Sequence, residues 1–234
     1  IAIGYVLAFF VAEKSWRMQA VTAAGILIGW TLLWIFNPWN GPGGPWAMEG
    51  ENIGRAFDRW MLGRNYTGYY VGLNAIPATA TILFGVMAGG LIRKGLPHGR
   101  TLAILFCSGL GALALGLVVS PWLPLIKRLW TPSFAVYAGG WTTLILALFY
   151  WVIEVRGKRR WAFPLVVVGM NSIAAYVIGN AFGSWFKRLT GAWVNGLKAP
   201  MGEAWFPVFE HLLFAVFAWC VLYWFWKRRI FFKC

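Results

Sequence analysis

The chain is patterned in blocks, not in alternations. Six stretches, 18–36, 74–92, 101–119, 133–153, 161–182 and 206–226, carry no charged residue except Glu210 near the start of the last. Each approaches the ~20 apolar residues a helix needs to cross ~30 Å of hydrocarbon. Membrane-barrel strands would be about half as long and would alternate apolar and polar positions, which these do not. Residues 1–12, IAIGYVLAFFVA, are apolar too, but at ~1.5 Å per residue they reach only ~18 Å. No basic segment precedes them, so they do not read as a signal peptide; Ile1 reads as a cut inside a helix of a longer protein. The pattern predicts an all-α fold, a polytopic transmembrane helical bundle. Six full spans plus one truncated N-terminal span form a single domain over 1–234.

Between the blocks, two connections have structure of their own. The long loop 37–73 is rich in Gly and Pro, and within it NIGRAFDRWMLG reads as a short amphipathic helix. Asn52 is its N-cap, Ile53, Phe57, Trp60 and Met61 form one face, and Gly63 ends it. An interfacial helix lying on the membrane is one reading; a lid over an outward-facing pocket is the other. Asn65-Tyr66-Thr67 matches a glycosylation sequon, a short and unspecific pattern. The connection 120–132, SPWLPLIKRLWTP, brackets Lys127, Arg128, Leu129 and Trp130 with three prolines, so the chain dips or turns rigidly there. Lys127 and Trp130 are candidates for holding a polar or anionic substrate; snorkelling beside lipid headgroups is the alternative.

Composition agrees with the pattern: 60% of the residues are hydrophobic and 12% charged, against a net charge of +14. Soluble domains carry about 25% charge. The cations are divided among the ends of the blocks, which excludes a nucleic-acid surface. Alternating the loops puts thirteen basic residues on one side, on short segments around residues 14–17, 93–100, 156–160 and 227–233. The other side has eight, on much longer loops. Positive-inside bias makes the first side cytoplasmic and, with it, the C-terminus. The protein is thus read as an integral, multi-pass membrane protein, in the inner (plasma) membrane if the source is bacterial.

Catalytic motifs are scarce. Cys107, Cys220 and Cys234 form no disulfide framework and no prenylation pattern. No metal-ligand spacing, P-loop or G-x-S-x-G is present. His98 lies in the basic loop RKGLPHGR. His211 follows Glu210, and adjacent helical residues point ~100° apart, so the two are not a ready dyad. The exception is VVVGMNSIAAYVIGN, 166–180, where Asn171 and Ser172 sit together in an apolar run. Asn171 is ten residues from the inner end of its stretch, ~15 Å deep. Ser172 and Tyr176, four apart, share a helix face. Two readings stay open for this group: hydrogen-bonding glue between helices, with Gly169 permitting close approach, or the lining of a passage where substrates meet.

Several of these segments, taken in order, carry a resemblance: GPGG, AFDRWMLG, PLIKRLWTPSF, GMNSIAAY and the closing YWFWKRRIFFK. The chain resembles the C-terminal part of a heparan-α-glucosaminide N-acetyltransferase-like membrane acyltransferase. That resemblance implies transfer of acetyl from cytoplasmic acetyl-CoA, the donor substrate, to an amino sugar or other saccharide acceptor across the membrane. The family's catalytic histidine, with its Asp-x-x-Arg-Gly motif, belongs to a part that would lie upstream of Ile1. Ile126 stands where the family usually has Asn, and Tyr70-Val71-Gly72 where it has Asp-Pro-Glu ahead of the third span.

On this reading the inner cationic rim suits the phosphates of CoA. Lys227, Arg228, Arg229 and Lys233 are the candidates, beside a Trp- and Phe-rich helix end that can pack an adenine ring. Asn171, Ser172, Tyr176, Lys127 and Trp130 are the substrate or passage candidates. The acceptor amine needs a general base, and polar donors such as Asn171 would face the developing oxyanion. The partners expected are membrane lipid and a saccharide; no metal is expected, and homo-oligomerisation stays open. The rival class is a secondary transporter or flippase, which calls for inverted repeats, broken helices and intramembrane charges.

Overall fold

A computed structural model describes residues 2–39, 41, 43–48, 51–65 and 70–232, without the side chains of 187, 191–193 and 195. Among the described residues all regular structure is helical, with no strands. Packing divides the chain into two compact units, 1–156 and 157–234.

In the first unit, α1 (Ala2–Ala12) and α2 (Trp16–Ile35) are joined by a tight turn. The polar triplet Glu13-Lys14-Ser15 interrupts the apolar run there. Ser15 accepts the Met18 amide, and the Gln19 side chain donates to the Ala12 carbonyl at 2.7 Å and the Lys14 carbonyl at 3.0 Å. Next come α3 (Ile53–Leu62), a 3-10 turn at Gly72–Asn74, α4 (Ala75–Arg93) and α5 (His98–Val119). A 3-10 turn at Lys127–Leu129 leads into α6 (Pro132–Tyr150), which runs on through a π-helical turn at Trp151–Val155. Pro132 suits the first turn of α6, where a missing N–H costs nothing.

Small side chains set the spacing of this unit. Its main core joins Ala8, Ala23, Leu27, Ala80, Leu83 and Ala135, and small residues let helix backbones come close where lipid gives no hydrophobic drive. The closest approach is between α5 and α6. A Cβ on Gly140 would lie 2.7 Å from the Leu113 nitrogen and 2.8 Å from the Gly109 carbonyl oxygen. By contrast α4 and α5, though consecutive, barely touch.

In the second unit a 3-10 turn at Arg160–Ala162 leads to α7 (Phe163–Met170) and α8 (Ser172–Val177). A π-helical turn at Ile178–Phe182 then passes into α9 (Gly183–Val194), and a 3-10 turn at Asn195–Leu197 into α10 (Lys198–Lys227). Gly202, with φ 75°, breaks α10 near its start. From α8 onward the chain runs antiparallel to α10: Phe186 meets Phe214 and Phe217, and Ala174 packs with Leu222.

Among the described residues, five helices are long and apolar enough to cross a bilayer, or six if the bent pair around Asn171 is one span. The stretch 161–182 departs from the straight span expected of it. It breaks at Asn171, and the helical segments on either side are bent by 75°. Asn171 has φ −131° and ψ 45°, outside the helical region. Its amide bonds back to the Val168 carbonyl, and its own carbonyl takes the Ala175 amide. One residue thus closes α7 and opens α8, a result that hydropathy alone does not reveal.

Candidate functional site

The gap between α4 and α5 is a cavity of about 1110 Å³. Typical small-molecule sites run to ~300–1,000 Å³, so it is large enough for an extended ligand. One end of it is formed by the α1–α2 turn and the C-terminal end of α4, and the lining there includes Lys14, Arg93 and Lys94 with Ser15 and Gln19. Its walls are apolar or small, among them Phe84, Met87, Gly90, Leu105, Gly111 and Ala112. Along α5 the lining runs from Ile104 to Leu115, about 16 Å at 1.5 Å per residue. The lining residues include three cations and no Asp, Glu, His or Cys. This place attracts an anion and shelters an apolar or neutral arm. It holds no residue of its own suited to general-base work.

Two hydroxyls lie along the walls. Ser108 donates to the Leu105 carbonyl at 3.1 Å, and Thr143 to the Gly139 carbonyl at 2.7 Å. Their protons are committed, so what they offer a ligand is lone pairs. Gln19 is similarly arranged, its N–H groups already given to Ala12 and Lys14. Of the inner cationic rim, the sequence singles out Lys227, Arg228, Arg229 and Lys233, and not Lys14, Arg93 and Lys94. The separation of α4 from α5 is what makes them a rim, and no local pattern signals it.

The connection carrying Lys127 and Trp130 does dip inward. Leu129 is fully buried, its carbonyl accepts the Trp30 indole N–H at 3.3 Å, and the Arg128 carbonyl accepts from Asn74 at 2.7 Å. Thr131 and Ser133 both donate to the Pro124 carbonyl, which closes the turn. Trp130 adopts a left-handed conformation (φ 51°), and its indole donates to Thr81 at 3.1 Å. Lys127 itself is exposed. The turn is therefore fastened to α2 and the Gly72–Asn74 turn through its backbone carbonyls and to α4 through the Trp130 indole, with Trp130 packed against the main core.

The polar pair of 171–172 is split. Asn171 is fully buried, whereas Ser172 and Tyr176 are exposed on the outward face of α8. The Asn171 amide is engaged at both ends by the segment after α10. Its N–H donates to the Ile230 carbonyl at 3.0 Å, and its oxygen accepts the Phe232 amide at 3.1 Å. That segment returns because α10 ends in a Schellman turn: the Ile230 amide reaches the Phe225 carbonyl, the Arg229 amide reaches Trp226, and Arg229 takes φ 57°. Glycine usually fills this position.

Lys227, Arg228 and Arg229 are exposed around the turn, and Phe163 packs edge-on to Trp226 with centroids 5.1 Å apart. Lys233 lies outside the described residues. Asn171 thus shares its level with the chain just past Arg228 and Arg229, at a corner of the second unit.

The two histidines are placed apart from these features. His98, at the start of α5, hydrogen-bonds the Tyr150 hydroxyl at the end of α6 at 2.8 Å. His211 bonds the Pro207 carbonyl within α10. Among the described residues no group of His, Cys, Asp and Glu could hold a metal ion. Comparisons with protein-family models, with curated proteins and with solved structures find no match.

Proposed function

We propose that the chain is part of a membrane acyltransferase resembling the heparan-α-glucosaminide N-acetyltransferase kind, and that its first unit holds the acyl-CoA donor. The observation that carries the reading is the cavity, cationic at one end and apolar along its walls. Acetyl-CoA has the matching form: anionic phosphates at one end and a thin neutral pantetheine arm ending in the thioester. Lys14, Arg93 and Lys94 grip the phosphates, Arg93 through its planar fork. The arm lies between α4 and α5, where Ser108 and Thr143 accept from its amide N–H groups.

In the reaction, the amine nitrogen of the acceptor attacks the thioester carbonyl carbon. The C–S bond breaks, CoA leaves as thiolate, and the amine proton passes to a general base. The cavity lining includes no His, Asp or Glu for that role; the resemblance assigns it to a histidine ahead of Ile1. Asn171 is assigned to holding the chain end, because both ends of its amide are already bound there. The exposed corner at Lys227, Arg228 and Arg229 is the second cationic place where CoA phosphates could bind. In this topology there are six full crossings besides α1, with the C-terminus cytoplasmic.

Equilibrium binding of acetyl-CoA to the purified chain tests the reading. Changing Lys14, Arg93 and Lys94 together to Gln is expected to weaken binding at least ten-fold and Arg228→Gln to change it little. The reverse pattern moves the donor to the second unit, and no binding by either protein overturns the reading. A secondary transporter or flippase is the second reading, favoured by the broken helix at Asn171, since broken helices mark such proteins. Counterflow of a labelled sugar in proteoliposomes, without acetyl-CoA, would establish it instead.

A further inference from the structure

We infer that α3 is a lateral membrane anchor, its Phe57–Trp60 flank seated among the lipids of the leaflet at the α2–α4 end of the first unit. The helix is well defined. Asn52 caps it through the Arg55 amide at 3.0 Å, and Gly63 ends it in the left-handed conformation. Its orientation is set by two residues one turn apart. Asp58 is almost fully buried and accepts the Gly72 amide through both carboxylate oxygens, at 2.9 and 3.0 Å. Gly54 meets Val71 so closely that a Cβ there would lie 2.7 Å from its side chain. The middle of the protein-facing stripe of α3 is therefore small and polar, while Ile53 at the start of the helix packs against the cluster of Trp30, Trp34, Val71 and Leu129.

At ~100° per residue the aromatic and the cationic positions separate around that stripe, with Met61 at its edge on the aromatic side and Leu62 on the cationic side. Phe57, Trp60 and Met61 fall on one flank, while Arg55 and Arg59 fall on the other, with Glu51 paired to Arg59. Trp60 is 81% exposed and Met61 64% exposed. A soluble helix would turn this apolar flank onto its core and leave a carboxylate outside. Here the carboxylate is inside and the tryptophan outside.

Chain geometry names what covers the flank. Gly72, the residue Asp58 holds, begins the apolar segment Gly72–Arg93, which is long enough to cross a bilayer. α3 is thereby pinned sideways at the level where that crossing starts. Phe36 and Trp39, just past the end of α2, and Tyr70, just before the crossing, are exposed aromatics close in sequence to the same helix ends. Tryptophan and tyrosine collect at this depth, with cations at the headgroups above. A phospholipid leaflet fits all of these: an apolar flank below, guanidinium groups above and the protein alongside.

Site-directed spin labelling of the full chain in phosphatidylcholine–phosphatidylglycerol vesicles tests this. Cys107, Cys220 and Cys234 are first changed to Ala, and single labels are placed by Met61→Cys and Arg64→Cys. The Met61 label is expected to be relaxed several-fold more by oxygen than by a water-soluble nickel chelate, and the Arg64 label the reverse. A Met61 label as open to the chelate as the Arg64 label would place the flank in water. Protection from both reagents would mean that protein covers it, as in a lid. Either result overturns the proposal. Both positions are exposed and outside the Asp58–Gly72 latch, so the labels leave the fold intact.

Discussion

Replacing Asn171 by Leu should release the end of the chain from the second unit. The side chain is fully buried and makes two hydrogen bonds to the backbone of residues 230–232. Leu has the same branching and number of side-chain heavy atoms and can make neither. At about 0.5–1.5 kcal/mol net for each bond, the loss is about 1–3 kcal/mol, before the Ile230 carbonyl and Phe232 amide find other partners. Arg229 adds to the effect. Its left-handed backbone costs roughly 1–2 kcal/mol, and the return of the tail helps to hold it.

A local opening of this size raises amide exchange at Phe232 about 5- to 150-fold. Hydrogen–deuterium exchange on the purified protein reads it directly, and trypsin offers a second reading, because Arg228 and Arg229 bracket the turn that must open. Asn171→Asp keeps the acceptor for Phe232 and loses the donor to Ile230, so it should protect the former amide better than Asn171→Leu does. If exchange at Phe232 and cleavage at Arg229 match the parent in the Leu variant, the clamp is not what holds the tail.

Three further outcomes are expected. Gly140→Ala drives a Cβ onto backbone atoms of α5, which no rotamer can relieve; it should cost about 1–3 kcal/mol, seen as a lower Tm in detergent, while Gly25→Ala, with open space around it, should not. Burial holds the Asp58 carboxyl above its ordinary value, opposed in part by the Gly72 amide. The folded state therefore binds the proton more readily, so stability falls as pH rises from the ordinary carboxylate value through the raised one. Asp58→Asn, which keeps an acceptor for Gly72, should flatten that slope when thermal unfolding is followed against pH. In the Cys-free background, Arg64→Cys and Lys158→Cys should label from opposite sides with an impermeant thiol reagent; labelling of both from one side would reject the topology.

How far the sequence reached depends on which forces were local. Helices such as α5 and α6 were legible because an uncharged run of that length has one stable form in lipid. Caps were legible as well: Asn52 and Gly63 act on groups within a turn of themselves, and they bound α3 where the pattern put them. The inward dip of 120–132 followed from its prolines. Long-range features were not legible. The break at Asn171 rests on a tail sixty residues further on, with no glycine or proline at the break itself to mark it. The cavity takes Lys14, Arg93 and Lys94 into one lining, from separate loops whose charges looked like ordinary topology charges. The inward turn of Asp58 was hidden for the same reason. Its partner is a backbone N–H fourteen residues away, which leaves no sequence signature.

The central claim, that the first unit holds the donor, is tested most directly by photo-crosslinking. An acetyl-CoA analogue carrying a photoreactive group on its acyl end is irradiated with the purified chain, and the modified peptides are sequenced. The expected result is labelling within residues 84–94 and 104–115, suppressed by excess CoA and lost when Lys14, Arg93 and Lys94 are changed to Gln. Labelling confined to the second unit, or labelling of the cavity that excess CoA does not suppress, would contradict the account.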